Sequence, residues 1–275
     1  MIKEAIILAG GLGTRLREAV PDLPKCMAPV AGRPFLFHVI NYLRLQGIER
    51  FVFSLGYKHE MIEEYLQAHF PTLKYTLALE DEPLGTGGAI QLACTKAESK
   101  HIVVVNGDTI YKADLHTAYQ FHIHHMAECT LLLKPMKNFD RYGVVELNEA
   151  QLVQQFSEKK QYDSGNINGG VYILDKDKFL DEEFPEKFSF EKDYLEQFYS
   201  KRRIYGLIQD AYFIDIGIPA DFNRAQQEFS QPPLDLTQVD KSWTLFLDRD
   251  GVINVDKDGS YIFHPDEFIR SEEHT

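Results

Sequence analysis

The sequence predicts an α/β protein, a three-layer fold built on a mixed sheet. Short apolar runs alternate with amphipathic stretches over about the first 230 residues. One run, His101 to Asn106, is continuously apolar, as in a central strand covered on both faces. From about Cys129 the texture shifts to strands with less regular connections. The first pattern implies an open sheet flanked by helices, and the second a mixed β region laid against it.

The elements follow in order. Glu4 to Ala9 is a buried-strand run ending in glycines. Pro34 to Gln46 carries Leu36, Val39, Ile40 and Leu43 at helical spacing, with Pro34 suited to a first turn and Gly47 to the stop. A strand over Phe51–Leu55, a helix over Glu60–His69, a strand over Tyr75–Leu79 and a helix over Gly88–Lys96 lead to the strand His101–Asn106. Strands are then expected over 129–135, 143–147, 151–156 and 169–174, closed by a helix near Glu191–Tyr199. The segment Phe229 to Asp240 carries Pro232-Pro233 without helical pattern and reads as a linker. Ser242 to Leu247 begins a new strand. The organisation is therefore 1–228 as one domain, 229–241 as linker, and 242–275 as a segment too short for its own core.

Composition narrows the class. Of 275 residues, 44% are hydrophobic and 26% charged, ordinary for a globular protein with a real core. No run approaches a membrane span, and the N-terminus enters a strand directly, without a signal-peptide pattern. Cys26, Cys94 and Cys129 lack CxxC spacing, which suits a reducing cytoplasm. A net charge of −13 argues against a nucleic-acid or anionic-membrane surface, yet leaves room for a locally held phosphate. A homo-oligomer stays open.

Gly10-Gly11-Leu12-Gly13-Thr14-Arg15-Leu16 directly follows the first strand. Such glycines let backbone N–H groups approach an anion, and Arg15 offers a two-pronged donor set for phosphate oxygens. A dinucleotide fingerprint would need glycine where Leu16 stands, and a P-loop would need Gly-Lys-Ser/Thr. Taken alone, the loop is equally a surface turn. It is not alone, because Pro24-Lys25 and Pro29-Val30-Ala31-Gly32-Arg33-Pro34 follow.

This long pattern, GGLGTRLR…VPDLPKCMAPVAGRP, resembles the sugar-1-phosphate nucleotidyltransferase family. The resemblance implies a Rossmann-like three-layer αβα nucleotidyltransferase fold. It assigns Arg15 and Lys25 to the NTP phosphates and departing pyrophosphate, with Ala9, Gly10, Gly11, Gly13 and Thr14 along the nucleotide. Cys26 stands where the family usually has proline, with no chemical consequence expected. Glu80 to Ala89 looks like the family's base-contacting element, EPLGTGGA, which brings in Gly87. A carboxylate only accepts hydrogen bonds, and guanine presents adjacent N1–H and N2–H₂ donors, so Glu82 is a candidate reader of GTP.

Asp108 follows the strand His101–Asn106, at the carboxyl edge where open α/β sheets gather ligands. Asp215 ends the apolar run of YFIDIGIP. Two carboxylates plus nucleotide oxygens suit Mg²⁺, and the resemblance places metal ligands at both positions. Singly, either is an ordinary turn residue. By the same resemblance Gly143, Glu158, Lys159 and Asn168 line the sugar 1-phosphate. Within the family, LGTRLREAVPDLPKCMAPVAGRPF, EPLGTGGAI, RYGVVEL, INGGVYIL, FSFEKDYLE and YFIDIGIPADF most closely resemble D-glycero-D-manno-heptose 1-phosphate guanylyltransferases, over residues 5–222. GTP (or another NTP) and a sugar 1-phosphate are thus the implied substrates. Mannose-1-phosphate guanylyltransferase, a thymidylyl- or uridylyltransferase, and a non-catalytic nucleotide-sugar sensor stay open as alternatives.

Leu247-Asp248-Arg249-Asp250-Gly251 is a strand end followed by DxDG, resembling the first motif of HAD-superfamily phosphatases, especially heptose-bisphosphate phosphatases. Asp248 would be the phosphoryl acceptor and Asp250 the general acid/base. The later motifs have no room before Thr275, so this incomplete HAD-like segment is expected to be inactive. The tail from Arg270 to Thr275 resembles a translated sequencing adapter, so the native sequence is expected to differ after about Phe268. His122, His124 and His125 lack metal-ligand spacing and read as a helix surface, and Asp181–Glu183 as a solvated loop.

Overall fold

The computed structural model describes residues 1–11 and 22–230. The expectations for Gly13, Thr14 and Arg15, and for Asp248 and Asp250 of the HAD-like segment, lie outside the described residues.

In the first half, the strands β1 (Glu4–Leu8), β4 (Arg50–Leu55), β5 (Lys74–Leu79) and β6 (His101–Asn106) run parallel in the order β6-β1-β4-β5. Two short strands, β2 (Pro29–Val30) and β3 (Arg33–Pro34), form a separate hairpin before α1 (Phe35–Leu45). The helices α2 (His59–His69) and α3 (Gly85–Lys96) complete the crossovers. Period-two alternation sorts the strand side chains onto two faces. Ala5, Ile7, Phe51, Phe53, Val103 and Val105 share one buried cluster with Leu36, Val39, Ile40 and Leu43 of α1. Ile6, Val52, Ile102 and Val104 share another with Ile90, Ala93 and Cys94 of α3. Each such aliphatic or aromatic side chain contributes roughly 1.5–3 kcal/mol relative to exposure. That two-sided burial is why β1 and β6 are almost uniformly apolar. The helix α1 stops at Gly47, whose φ of +85° is left-handed backbone suited to glycine.

The second half adds β7 (Thr109–Tyr111), α4 (Leu115–His124), β8 (Cys129–Phe139), β9 (Val144–Leu147), β10 (Val153–Ser157), β11 (Tyr162–Asp175), α5 (Lys176–Leu180), a π-helical stretch over Phe190–Leu195, α6 (Glu196–Phe198), β12 (Ile204–Ile208), β13 (Phe213–Asp215) and α7 (Pro219–Phe229). The strand β11 runs antiparallel to β6, β8 and β9, and β12 lies parallel to β8, so the main sheet is mixed and nine-stranded.

Three differences from the sequence reading have physical causes. The strand expected over 169–174 begins at Tyr162, because the polar run 162–168 pairs with β8 before the register shifts between Asn168 and Tyr172. Phe229, assigned above to the linker, closes α7, with its ring centroid 6.2 Å from Phe35 and 4.7 Å from His38. His122 is fully buried rather than on a helix surface. Its Nδ1 lies 2.9 Å from Thr130 Oγ1 and its Nε2 3.2 Å from His101 Nδ1. His124 is exposed. Asp181 and Glu183 are also exposed, whereas Glu182 pairs with Arg202.

Candidate active site

The carboxyl ends of β1, β4, β5 and β6 open into one cleft of about 1230 Å³, lined by Ala9, Gly10, Gly56, Glu80 and Asp108 among others. Close backbone approach makes this edge. Gly107 N–H donates to Leu8 O at 2.8 Å, and a Cβ at Gly10 would sit 2.6 Å from Glu80 Oε1. Ala9, Gly10 and Gly11 all line the cleft.

Asp108 and Asp215 meet there. The β7–β13 ladder sets Asp215 opposite Thr109, and Ile216 N–H donates to Asp108 O at 3.1 Å. Lys25, on the 3₁₀ turn Lys25–Met27, places its Nζ against Asp108 Oδ2 and 3.4 Å from Asp215 Oδ1. Asp215 Oδ1 also accepts Gly217 N–H at 2.8 Å. A Cβ at Gly217 would lie 2.8 Å from both that oxygen and Lys25 Nζ, so a larger residue there would push these two side chains out of their present positions. Both carboxylates thus converge on a single positive charge. Among the described residues no group of three or more His, Cys, Asp or Glu could hold a metal. A magnesium site needs only one or two carboxylates plus substrate phosphates, and this pair has that donor chemistry.

Behind Asp215 lies a second polar chain. Tyr142 hydroxyl stands 3.4 Å from Asp215 Oδ2 and accepts from an Arg141 guanidinium nitrogen at 2.7 Å. Arg141 pairs with Asp221 at 2.7 Å. Burial, reinforced by the Asp215 charge, pushes the Tyr142 phenol up to about 12. Cys26, buried under the cleft floor, is likewise pushed up to about 12, first by burial and then by Asp108, so the thiol stays protonated and inert.

At the β5 end, Glu80 and Asp81 line the cleft, with Glu60 and Glu191 elsewhere on its wall, whereas Glu82 is exposed and does not line it. Glu80 follows the last residue of β5, and its oxygens accept from Ser54 hydroxyl at 3.3 Å and Leu84 N–H at 3.0 Å. Gly87 is also outside the lining. The Gly-Thr-Gly-Gly element forms the first turn of α3, three residues earlier than expected; Gly85 and Thr86 line the cleft, while Gly87 and Gly88 are tightly packed behind it. A Cβ at Gly87 would meet the Phe188 ring at 2.2 Å, and one at Gly88 would meet Glu186 O at 2.4 Å. Thr86 ties this wall to the next by donating to Glu191 Oε2 at 2.7 Å.

Of the expected sugar-phosphate residues, Lys159 lines the cleft, whereas Gly143, Glu158 and Asn168 do not. Glu158 is exposed. Asn168 spends its amide on Tyr172 hydroxyl at 2.8 Å and its carbonyl on Gly170 N–H at 3.0 Å. Gly143 lies tight against the next strand, where a Cβ would sit 2.4 Å from Ser157 O.

Residues 4–231 match the family described as nucleotidyl transferase. The chain belongs to this family. The transferase is 50% identical over 225 residues to D-glycero-alpha-D-manno-heptose 1-phosphate guanylyltransferase of Aneurinibacillus thermoaerophilus, covering 82% of this chain and 97% of that one. It is 45% identical to the enzyme of the same name from Campylobacter jejuni, over 80% and 96% of the two chains. It also resembles the crystal structure of HddC from Yersinia pseudotuberculosis complexed with GMP-PN, with a TM-score of 0.75, 36% identity, and coverage of 83% of this chain and 100% of that chain. The mixed sheet is therefore the family's α/β fold. Among the transferase's described residues no helix is long and apolar enough to cross a membrane.

The sequence reading quoted the segments that hold Glu80, Asp81, Arg141, Tyr142 and Glu191 but singled out none of the five as a site residue. The strand-end rule that singled out Asp108 applies equally to Glu80, which directly follows β5. Glu191 lies within the quoted FSFEKDYLE motif, but nothing in its local pattern shows that tertiary packing brings it to the cleft.

Proposed function

We propose that this transferase moves GMP from GTP to a sugar 1-phosphate, D-glycero-D-manno-heptose 1-phosphate, giving GDP-heptose and pyrophosphate. The observation that carries the reading is the meeting of Asp108 and Asp215 on Lys25 inside the cleft. The names of the two relatives at 50% and 45% identity support the sugar and the base.

In this reading a phosphate oxygen of the sugar 1-phosphate attacks the α-phosphorus of GTP in line. The bond from that phosphorus to the α–β bridging oxygen breaks, and pyrophosphate leaves with the electron pair. No nucleophilic side chain is needed, since the substrate phosphate is the nucleophile, and positioning and electrostatics supply the catalysis. Asp108 and Asp215 would hold Mg²⁺, which when bound neutralises charge on the phosphates. Lys25, with its ammonium at that point, is placed to follow the pyrophosphate as it departs. Lys159 on the far rim is a cation for the sugar phosphate. Glu80 replaces Glu82 as the acceptor for guanine's N1–H and N2–H₂.

The family match over residues 4–231 supports a catalytic unit that runs through α7 to about residue 230. The linker after it and a HAD-like segment carrying Asp248 and Asp250 remain part of the proposal. A cytoplasmic location belongs to the same proposal. The presence of Lys25, Asp108 and Asp215 together favours an enzyme over a silent sensor. The test is pyrophosphate release across a matrix of GTP, ATP, UTP and dTTP against heptose, mannose and glucose 1-phosphates. GTP with heptose 1-phosphate is expected to give the highest kcat/KM. A higher value for mannose 1-phosphate moves the assignment to that sugar, and no release with any pair refutes the enzyme reading.

A further inference from the structure

We infer that Tyr142, held by Arg141, is a positioning residue for the carboxylate of Asp215. The inference rests on the metal role proposed for Asp108 and Asp215. The two oxygens of Asp215 are treated differently. Oδ1 is fixed by Gly217 N–H at 2.8 Å, while Oδ2 faces Tyr142 hydroxyl at 3.4 Å. A carboxylate anchored at one oxygen alone turns easily, because its terminal torsion is broad and roughly two-fold. A second contact on Oδ2 selects one orientation.

Tyr142 is itself oriented. Its hydroxyl oxygen accepts from Arg141 at 2.7 Å, which leaves its own proton for Asp215. The ring stands edge-on to Phe213, two residues before Asp215, at 5.9 Å between centroids and 83° between planes. Arg141 is tied in turn to Asp221 Oδ2 at 2.7 Å, in the first turn of α7. The chain Asp221–Arg141–Tyr142–Asp215 therefore starts and ends on the strand-turn-helix that carries the carboxylate. Its middle comes from the β8–β9 connection. Partners of this kind, which orient a ligating carboxylate, tune metal affinity without touching the metal. Asp108 is supported differently, by the Thr109 hydroxyl at 3.2 Å from its Oδ1.

The test is direct. Mn²⁺ is titrated by electron paramagnetic resonance into the full chain saturated with α,β-methylene-GTP, whose bridge the reaction cannot break. Wild type is compared with Tyr142→Phe, which deletes only the hydroxyl, with Asp221→Asn, which releases Arg141, and with Asp215→Asn. Tyr142→Phe is expected to weaken Mn²⁺ about tenfold. Asp221→Asn is expected to weaken it less, in the same direction, and both variants to melt within about 2 °C of wild type. Unchanged Mn²⁺ affinity in Tyr142→Phe, whatever its melting temperature, overturns the inference alone, provided Asp215→Asn abolishes the site. Affinity indifferent to Asp215→Asn overturns the metal reading and this inference with it.

Discussion

Asp108 and Asp215 share one lysine. The ammonium of Lys25 sits against Asp108 Oδ2 and 3.4 Å from Asp215 Oδ1 because the β7–β13 ladder sets Asp215 opposite Thr109, the neighbour of Asp108. Two like charges are held together there by a cation on a separate turn. All three side chains are 18–29% exposed, so the cluster opens onto the cleft rather than into the core.

Removing that lysine has separable consequences. Lys25→Met is expected to lower kcat/KM at least about a hundredfold, as for loss of a transition-state charge partner. It leaves two partly buried carboxylates facing each other, at a cost of about 1 kcal/mol. Added Mg²⁺ is expected to restore more stability to the variant than to wild type. Urea unfolding with and without Mg²⁺ checks this, and equal gains would count against a cation site between the carboxylates.

Base selection should follow Glu80. Losing a charge-assisted hydrogen bond costs roughly 1.5–3 kcal/mol, or about ten- to a hundredfold in preference. Glu80→Gln is therefore expected to reduce the kcat/KM ratio of GTP over UTP by about that factor, whereas Glu82→Gln leaves it unchanged. The opposite pattern would return the role to Glu82.

Gly87 is expected to act through packing rather than base contact. An added Cβ would lie 2.2 Å from the Phe188 ring, which is buried beside Phe179 and Phe184. Gly87→Ala should cost about 1–3 kcal/mol by overpacking, read as a lower urea midpoint. A variant of wild-type stability with altered base preference would show that the glycine serves the nucleotide instead.

Acid sensitivity should arise partly at His122. Burial, with a smaller contribution from His101, holds its pKa down at about 3 against an ordinary 6.5. The unfolded chain binds a proton there below 6.5 and the folded chain does not, so this contribution is complete above pH 6.5. It is lost progressively as pH falls towards 3. His122→Gln is expected to reduce the slope of unfolding free energy between pH 6.2 and 5.2 by about one proton, roughly 1.4 kcal/mol per pH unit at most. An unchanged slope would mean that His122 is protonated in the fold.

The parallel half was legible in the sequence because β1, β4 and β6 are buried on both faces and α1 carries a plain apolar stripe. Asp108 was legible for the same reason, since a strand such as HIVVVN marks where its carboxyl end lies. The length of β11 was not, because its polar half gains its partners from β8 by tertiary pairing. The glycines of the Gly85–Gly88 turn carried more than the sequence reading gave them, since Gly87 and Gly88 also pack against Phe188 and Glu186. His122 misled because it was read with His124, which is exposed, whereas it shares the buried face of α4 with Leu115 and Ala118 and its ring is met by Thr130 and His101.

The most direct test of the account is a double-mutant cycle on the two carboxylates, read as Mg²⁺-dependent pyrophosphate release from GTP and heptose 1-phosphate. Asp108→Asn and Asp215→Asn are each expected to lower kcat/KM about a hundredfold or more, as for several kcal/mol of lost charge stabilisation. If both serve one cation, the double variant falls no further than about tenfold below the worse single variant. Losses that multiply, as for two independent residues, would contradict the shared site.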